Sequence, residues 1–526
     1  MHSDWQPQWT TQVRIESGGR YPLGLNRFHN GLEEILIKSI TVTANRLRYI
    51  TYCCWAIGDI EQLENCQQYA EFVESFRRRE NSLALGLYQR KPEYSFYGST
   101  SISKSIKKGG KEYDCSFDLM ESNKLGAFGL YYAGTIYNLG LTETNEKGII
   151  VLTELGKELH AIAERYYSKA KPKYYKSFRG KRKVPSQILL EWGKVNDFDN
   201  IRNPECKEER EFYKALIFRL GKTKVADYRR DTFAFFMHCI DKCSKTGGTF
   251  NEDVLRNVHY YSSYHIGSKV CSFSVPNHFN DVHFYWFIYE GHVYFRWWLE
   301  LYFDAFLTYL KSCDNGATLD EFFSQFEIGE FNSTIADFCN KRKDYFNNTL
   351  KTILALFPRP SNLADASSEE TITFDKDHTT SASVLAQFLL ISVNLYRKYK
   401  AFRSDKRYQY LVMKLEADLW FDVLFHFTNL EEMSVRDFLR IVLKRHILEQ
   451  HDLIMMEKHD LRRCWFTIEN KRYIFETDVI PTWRPAKYGT IINFLSDMKL
   501  LNVSKEEPTL SQDGTLFFKK LIQDYY

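Results

Sequence analysis

Proline is scarce in this chain, with 12 in 526 residues. Because proline is confined mostly to first turns and loops, its rarity leaves room for helix-rich domains. The eleven cysteines contain no Cys-x-x-Cys, and their number is odd. That pattern points to reduced core thiols rather than a disulfide framework. Long apolar runs are also missing. The best, SVLAQFLLISVNLY, is interrupted by Gln387 and Asn394 and falls short of the roughly 18 residues a membrane span needs, so no membrane partner is expected. The opening Met1-His-Ser-Asp-Trp5 is polar and shows no apolar leader segment, which makes a cytoplasmic location the expectation. Nor is there a large net charge: at +4, the whole-chain balance names no partner.

Catalytic signatures are equally sparse. The stretch Leu220-Gly-Lys-Thr-Lys224 resembles part of a phosphate-binding loop, but the upstream glycine that loop requires is replaced by Leu216. No Gly-x-Ser-x-Gly marks a nucleophile. His446 and His451 are five apart and diverge on a helix, as do His278 and His283. Glu300 and Asp304, four apart, share a helix face and are the weak candidates for a hidden metal-dependent nuclease. No cofactor, catalytic residue or metal site is assigned, and a solvated polar face accounts for each cluster.

What is present is a dense cationic run. Between Lys169 and Lys183 there are eight Lys or Arg and no acid, so the rest of the chain carries −4, the difference between +4 and 8. The candidate nucleic-acid-binding set is Lys169, Lys171, Lys173, Tyr174, Tyr175, Lys176, Phe178, Arg179, Lys181, Arg182 and Lys183. Lysine and arginine neutralise phosphates and release counterions, and the three aromatic rings offer stacking surfaces for unpaired bases. The plainer reading is a solvated linker that self-repulsion keeps extended.

The second feature is a repeated order of elements. Residues 127–139 suit a helix ended by Gly140, GLTET and GIIVL suit strands joined by Asn145-Glu-Lys-Gly148, and Thr153 caps a final amphipathic helix. Near the C-terminus, KYGTIINFLSDMKL, LLNVS, Lys505-Glu-Glu-Pro508 and a helix capped by Ser511 follow the same order. Even wording recurs, Gly134-Thr-Ile-Tyr-Asn138 against Gly489-Thr-Ile-Ile-Asn493. This is the order of a winged helix. Both wings are acidic (Glu146; Glu506, Glu507), which disfavours them as phosphate readers. Tyr131, Tyr132 and Asn138, or Lys487, Tyr488 and Asn493, remain groove-reading candidates, and protein docking is the other use of such modules.

Length requires about two to four domains. The fold class expected is mainly α with small β-hairpins, two winged-helix-like modules flanking a helical middle. The division is 1–90 helical, 91–168 winged-helix-like, 169–189 basic linker, 190–450 helical middle, and 451–526 hairpin plus winged-helix-like module. Further hairpins are expected in VHFYWFIYEGHVYFRWW, turning at Glu290-Gly291, and in WFTIENKRYIFET, turning at Asn470-Lys471. A polar break over 358–383 reads as an exposed loop.

The head segment carries Leu23-Gly-Leu25 and Thr41-Val-Thr-Ala-Asn-Arg-Leu-Arg-Tyr49 running into Trp55-Ala-Ile57. With the Leu-Thr-x-x-Gly helix entry, it resembles large accessory proteins encoded in bacterial antiviral defence loci, specifically the Druantia system. That resemblance implies a non-enzymatic subunit, with a helicase or an SMC-type ATPase as the partner protein. The alternative implied by winged helices near both ends of a helical chain is a kleisin-like bridge of an SMC complex.

Overall fold

The computed structural model describes residues 23–92, 97–106, 110–169, 174–221, 227–326, 328–339, 343–356, 362–363, 380–400, 402–415, 430–457, 464–478, 481, 487–503 and 507–526. Outside these lie the opening residues, most of the polar break over 358–383, Lys222–Lys224, and Lys505 and Glu506 of the second wing. As expected, the fold is mainly helical, with five two-stranded antiparallel sheets among the described residues.

Three helices open the chain: α1 (Asn26–Leu36), α2 (Leu47–Leu63) and α3 (Tyr69–Arg90). Every residue of α2 from Leu47 to Ile60 is buried. A helix apolar on all sides belongs in the middle of a core, yet α2 carries Arg48 and Asp59 there. Both are paired, Arg48 with Glu209 and Asp59 with Arg79.

Strand β1 (Glu112–Asp114) precedes the first module. A π-helical turn, Phe128–Tyr132, leads into α4 (Ala133–Asn138). Strands β2 (Thr142–Thr144) and β3 (Ile150–Leu152) then pair, and α5 (Glu154–Lys169) follows. Beyond it come β4 (Lys183–Pro185) and α6 (Ser186–Val195). Helix α6 crosses α3 where two glycines meet: a methyl on Gly193 would lie 2.2 Å from the Gly86 carbonyl carbon. Glycine is required at that crossing because only its backbone permits so close an approach.

The middle contains α7 (Lys207–Phe218), α8 (Tyr228–Lys245), α9 (Glu252–Tyr261), the hairpin of β5 (Ser263–Ile266) and β6 (Lys269–Ser272), α10 (Asn280–Lys311) and α11 (Ser381–Lys400). Helix α10 corrects an expectation. The stretch read as a hairpin turning at Glu290-Gly291 is one continuous helix of 32 residues. Its aromatic, alternating composition mimics a strand because nearly all its faces are buried, which erases the helical period. The hairpin expected at Asn470-Lys471 is present: β7 (Phe466–Glu469) pairs with β8 (Arg472–Phe475), and both turn residues have positive φ, 49° and 67°.

The second module comprises α12 (Tyr488–Asp497), β9 (Leu501–Val503), β10 (Pro508–Leu510) and α13 (Gln512–Tyr525). It repeats the first bond for bond. Thr153 N–H donates to the Leu141 carbonyl at 3.1 Å, and Ser511 N–H to Leu500 at 3.0 Å. The Thr153 hydroxyl donates to Gly140 and accepts from Gly156 N–H, while the Ser511 hydroxyl donates to Lys499 and accepts from Gly514 N–H. A methyl on Gly156 would stand 2.0 Å from the Leu141 oxygen, and one on Gly514 1.9 Å from that of Leu500. The hydroxyl residue therefore caps the helix while pinning the hairpin's first strand, and the glycine three residues on lets that strand's carbonyl touch the helix backbone. In this register Thr135 corresponds to Phe494, because their carbonyls accept the matching bonds from Leu139 and Met498. The Gly-Thr-Ile wording is thus one helical turn out of register between the modules.

The shared wording has a different basis. Thr135 and Thr490 approach the same segment, the Thr135 hydroxyl 3.2 Å from that of Thr41 and the Thr490 hydroxyl 3.4 Å from the carbonyls of Thr41 and Val42. Buried apolar residues from Leu23 to Leu521 form one contiguous cluster, and both modules belong to it.

Candidate nucleic-acid interface

Lys171 and Lys173 lie outside the described residues, and the remainder of the cationic run is folded. Tyr174–Phe178 form a π-helical turn, and residues 179–182 turn the chain at Gly180, where φ is 69°. Strand β4 then pairs with β1, setting Lys183 opposite Asp114, Val184 opposite Tyr113 and Pro185 opposite Glu112. Among the described residues of the expected 169–189 linker, Tyr174–Phe178, β4 and the start of α6 are folded elements that pack on the core. Apolar side chains at Tyr174, Tyr175 and Val184 draw the run inward; a chain of charge alone would stay in water.

The aromatic part of the expectation is corrected. Tyr174 is fully buried, its ring 4.6 Å from that of Trp192. Tyr175 is 8% exposed, lies 6.2 Å from the Tyr167 ring and 6.5 Å from Trp55, and donates its hydroxyl proton to Glu164. Phe178 packs half-buried against the same core. Neither tyrosine presents a face for an unpaired base.

The arginines act as anchors. Arg179 lies 3.0 Å from Asp59, whose other oxygen receives Arg79 at 2.6 and 2.8 Å. Its guanidinium also stands over the Tyr175 ring, 5.3 Å from the centroid. Arg182 donates to Asp114 at 2.9 Å. Burial alone would raise the Asp114 carboxyl, but the Ser116 hydroxyl and N–H and the Arg182 guanidinium together hold it below its usual value.

What faces water without an acid partner is lysine, beside the exposed Arg182. Lys169, Lys176, Lys181 and Lys183 are exposed, and none makes an ion pair among the described residues. Lys169 also lines a polar cleft of about 420 Å³ with Arg165, Tyr166, Glu205 and Glu209. Arg48 sits behind that wall, 4.3 Å over the Tyr166 ring; burial opposes its charge, but Glu209 more than compensates and holds it protonated.

Asp59 and Glu164, which tie the run down, escape a reading of charge along the chain. A signal existed. Asp59 interrupts the apolar Trp55-Ala-Ile-Gly-Asp-Ile60, and an acid in a wholly buried helix demands a cation.

The groove-reading candidates are mostly occupied. Tyr132 is buried; Lys487 pairs with Glu33 at 2.8 Å and donates to the Ile40 carbonyl at 2.7 Å; Tyr488 reaches the Phe250 carbonyl. Lys487 is thus turned inward, while Tyr488 and Asn493 are half-buried. The first module differs, for Tyr137 is 59% exposed beside exposed Asn138.

Glu300 and Asp304 are buried, and Glu300 pairs with Arg296 at 3.2 Å. These two carboxylates are therefore shut in the core, not on a solvent-facing helix surface as a shared metal site would need. His451 is buried and accepts from the Trp465 N–H at 3.1 Å, while His459 lies outside the described residues. Among the described residues no group of three or more His, Cys, Asp or Glu could hold a metal ion, and no helix is long and apolar enough to cross a membrane. Compared with protein-family models, with curated proteins and with solved structures, the chain finds no match in any of the three.

Proposed function

We propose that this chain is a non-enzymatic, nucleic-acid-contacting accessory subunit of a multi-protein bacterial antiviral system. One observation carries the nucleic-acid part: a single surface stretch presents Lys169, Lys176, Lys181 and Lys183 unpaired, while its other members hold it in place. Exposed ammonium groups on an anchored backbone attract polyphosphate without the ordering entropy a free tail would lose. The antiviral setting rests on the resemblance of the head segment and of the Leu-Thr-x-x-Gly entry. The two helix–hairpin–helix modules are read as winged helices that serve the scaffold and partner proteins.

Filter binding of an oligonucleotide mixture at low ionic strength tests the reading. Binding that weakens steeply with salt supports it, and no binding of any nucleic acid sinks it. Co-purification with the product of a neighbouring gene tests the setting: a helicase supports the accessory role.

The kleisin-like bridge is the second reading, favoured by the uncharged, exposed Tyr137-Asn138 end of α4. The shared contact of both modules with Thr41 counts against it, since a bridge holds its terminal modules apart. A 1:2 complex with an SMC ATPase would reverse that preference.

A further inference from the structure

We infer that the cationic surface recognises the sugar–phosphate backbone of duplex nucleic acid, independent of sequence, and not single strands. This rests on the nucleic-acid reading and narrows it. Single-strand binders combine a cationic groove with aromatic platforms on which successive bases stack. Here the run's tyrosines are spent on the interior, where Tyr174 packs on Trp192 and Tyr175 donates to Glu164. The cations that remain stand on folded backbone: Lys169 ends α5, Lys176 lies in the π-helical turn, Lys181 in the turn after it, and Lys183 on β4 in register opposite Asp114. Fixed ammonium groups suit the regular phosphate spacing of a duplex; a flexible strand gains nothing from them that stacking would otherwise add. Arg179 is taken by the buried Asp59, whereas Arg182, 67% exposed, meets Asp114 through Nε alone, so it adds a fifth exposed cation beside the lysines.

Counterion release sets the size of the effect. Four lysine–phosphate contacts give a log–log salt slope of about 3.6 on duplex and about 2.8 on a single strand. With equal affinity at 1 M salt, the duplex is preferred about sixfold at 0.1 M.

The full-length protein is titrated with a fluorescent duplex, with each of its two strands alone, and with a second duplex of scrambled sequence. The expected result is equal affinity for both duplexes, weaker binding of either strand, and a duplex slope that falls towards zero in K169S/K176S/K181S/K183S. These positions are exposed, and the variant's thermal melt confirms that it folds. Single strands bound as tightly as duplex, or a strand whose affinity drops when its bases are removed, would overturn the inference and leave the nucleic-acid reading standing. Duplex binding that survives the fourfold change overturns the placement on this surface. Equal binding of anionic lipid vesicles in competition with duplex overturns nucleic acid as the occupant. Silence from every oligonucleotide defeats the parent reading itself.

Discussion

Arg179 and Asp59 lie 3.0 Å apart, joining the cationic run to the C-terminal part of the buried helix α2. The same carboxylate holds Arg79, so one acid with almost no solvent exposure fixes a core arginine and a surface loop together.

Removing that acid is expected to be costly. Asp59→Asn leaves Arg79 only Glu64, at 2.7 Å, so the loss should fall below the about 3–5 kcal/mol that breaking a buried pair from one side costs. Urea unfolding should show the loss, with proteolysis between Tyr174 and Lys183 accelerated beyond the global effect. Arg179→Gln, whose partner Asp59 keeps Arg79, should cost much less. Equal losses from the two changes would show that the shared carboxylate is not the organising contact.

The modules offer a paired comparison. Gly156→Ala and Gly514→Ala each force a methyl against a strand carbonyl, and overpacking of this kind costs about 1–3 kcal/mol. Thr153→Ala and Ser511→Ala should each cost about 1 kcal/mol through the lost cap. Thermal melts of the four variants check both figures. Harmless alanines at either glycine would mean that the matching bonds are not equivalent in energy.

Crossing helices supply a third test. Gly193→Ala must push α6 away from α3 at Gly86, and β4 is continuous with α6. The variant should melt lower and bind duplex less tightly at fixed salt, because the lysines lose their frame. A lower melt with unchanged duplex binding would show that the crossing does not hold the surface.

Stability should peak near pH 6.5. Burial pushes Glu290 up to about 8, against the pull of Arg256, and Glu80 up to about 7, against hydrogen bonds from Tyr49 and Phe128. A carboxyl whose folded value is raised stabilises while protonated, and that contribution is lost as pH climbs through the folded value. Burial lowers His259 and His292 to about 3, and His238 and His283 to about 4. Those contributions are present above the free value of about 6.5 and are lost as pH falls below it. Each group changes the slope by up to about 1.4 kcal/mol per pH unit. Urea midpoints from pH 5 to 9 should rise and then fall, and Glu290→Gln should flatten the alkaline side. An unchanged alkaline limb in that variant would count against its buried proton.

Local chemistry made some of this architecture readable in advance. The capping hydroxyls at Thr153 and Ser511, the Asn145–Gly148 turn and the Asn470-Lys471 turn all sit where short-range rules put them. The errors came where the interior overrides those rules. Helix α10 is buried on nearly every face, so no period survives to separate it from a strand pair. Tyr174 and Tyr175 look like exposed stacking rings between lysines, and only the position of Trp192, far along the chain, shows that they point inward. The repeated Gly-Thr-Ile wording marked two real modules for the wrong reason: the threonines meet at Thr41, not at matching places.

The pairing of β1 with β4 bears on how the first module is attached. The chain enters it after Asp114 and leaves it at Lys183, on adjacent strands about 4.8 Å apart. The chain therefore leaves and rejoins the body at one place, closed by three residue pairs. What lies between is no detachable cassette: Tyr167 packs on Trp55 and Tyr174 on Trp192, so deleting it would uncover the face of α2 that it now shields from water.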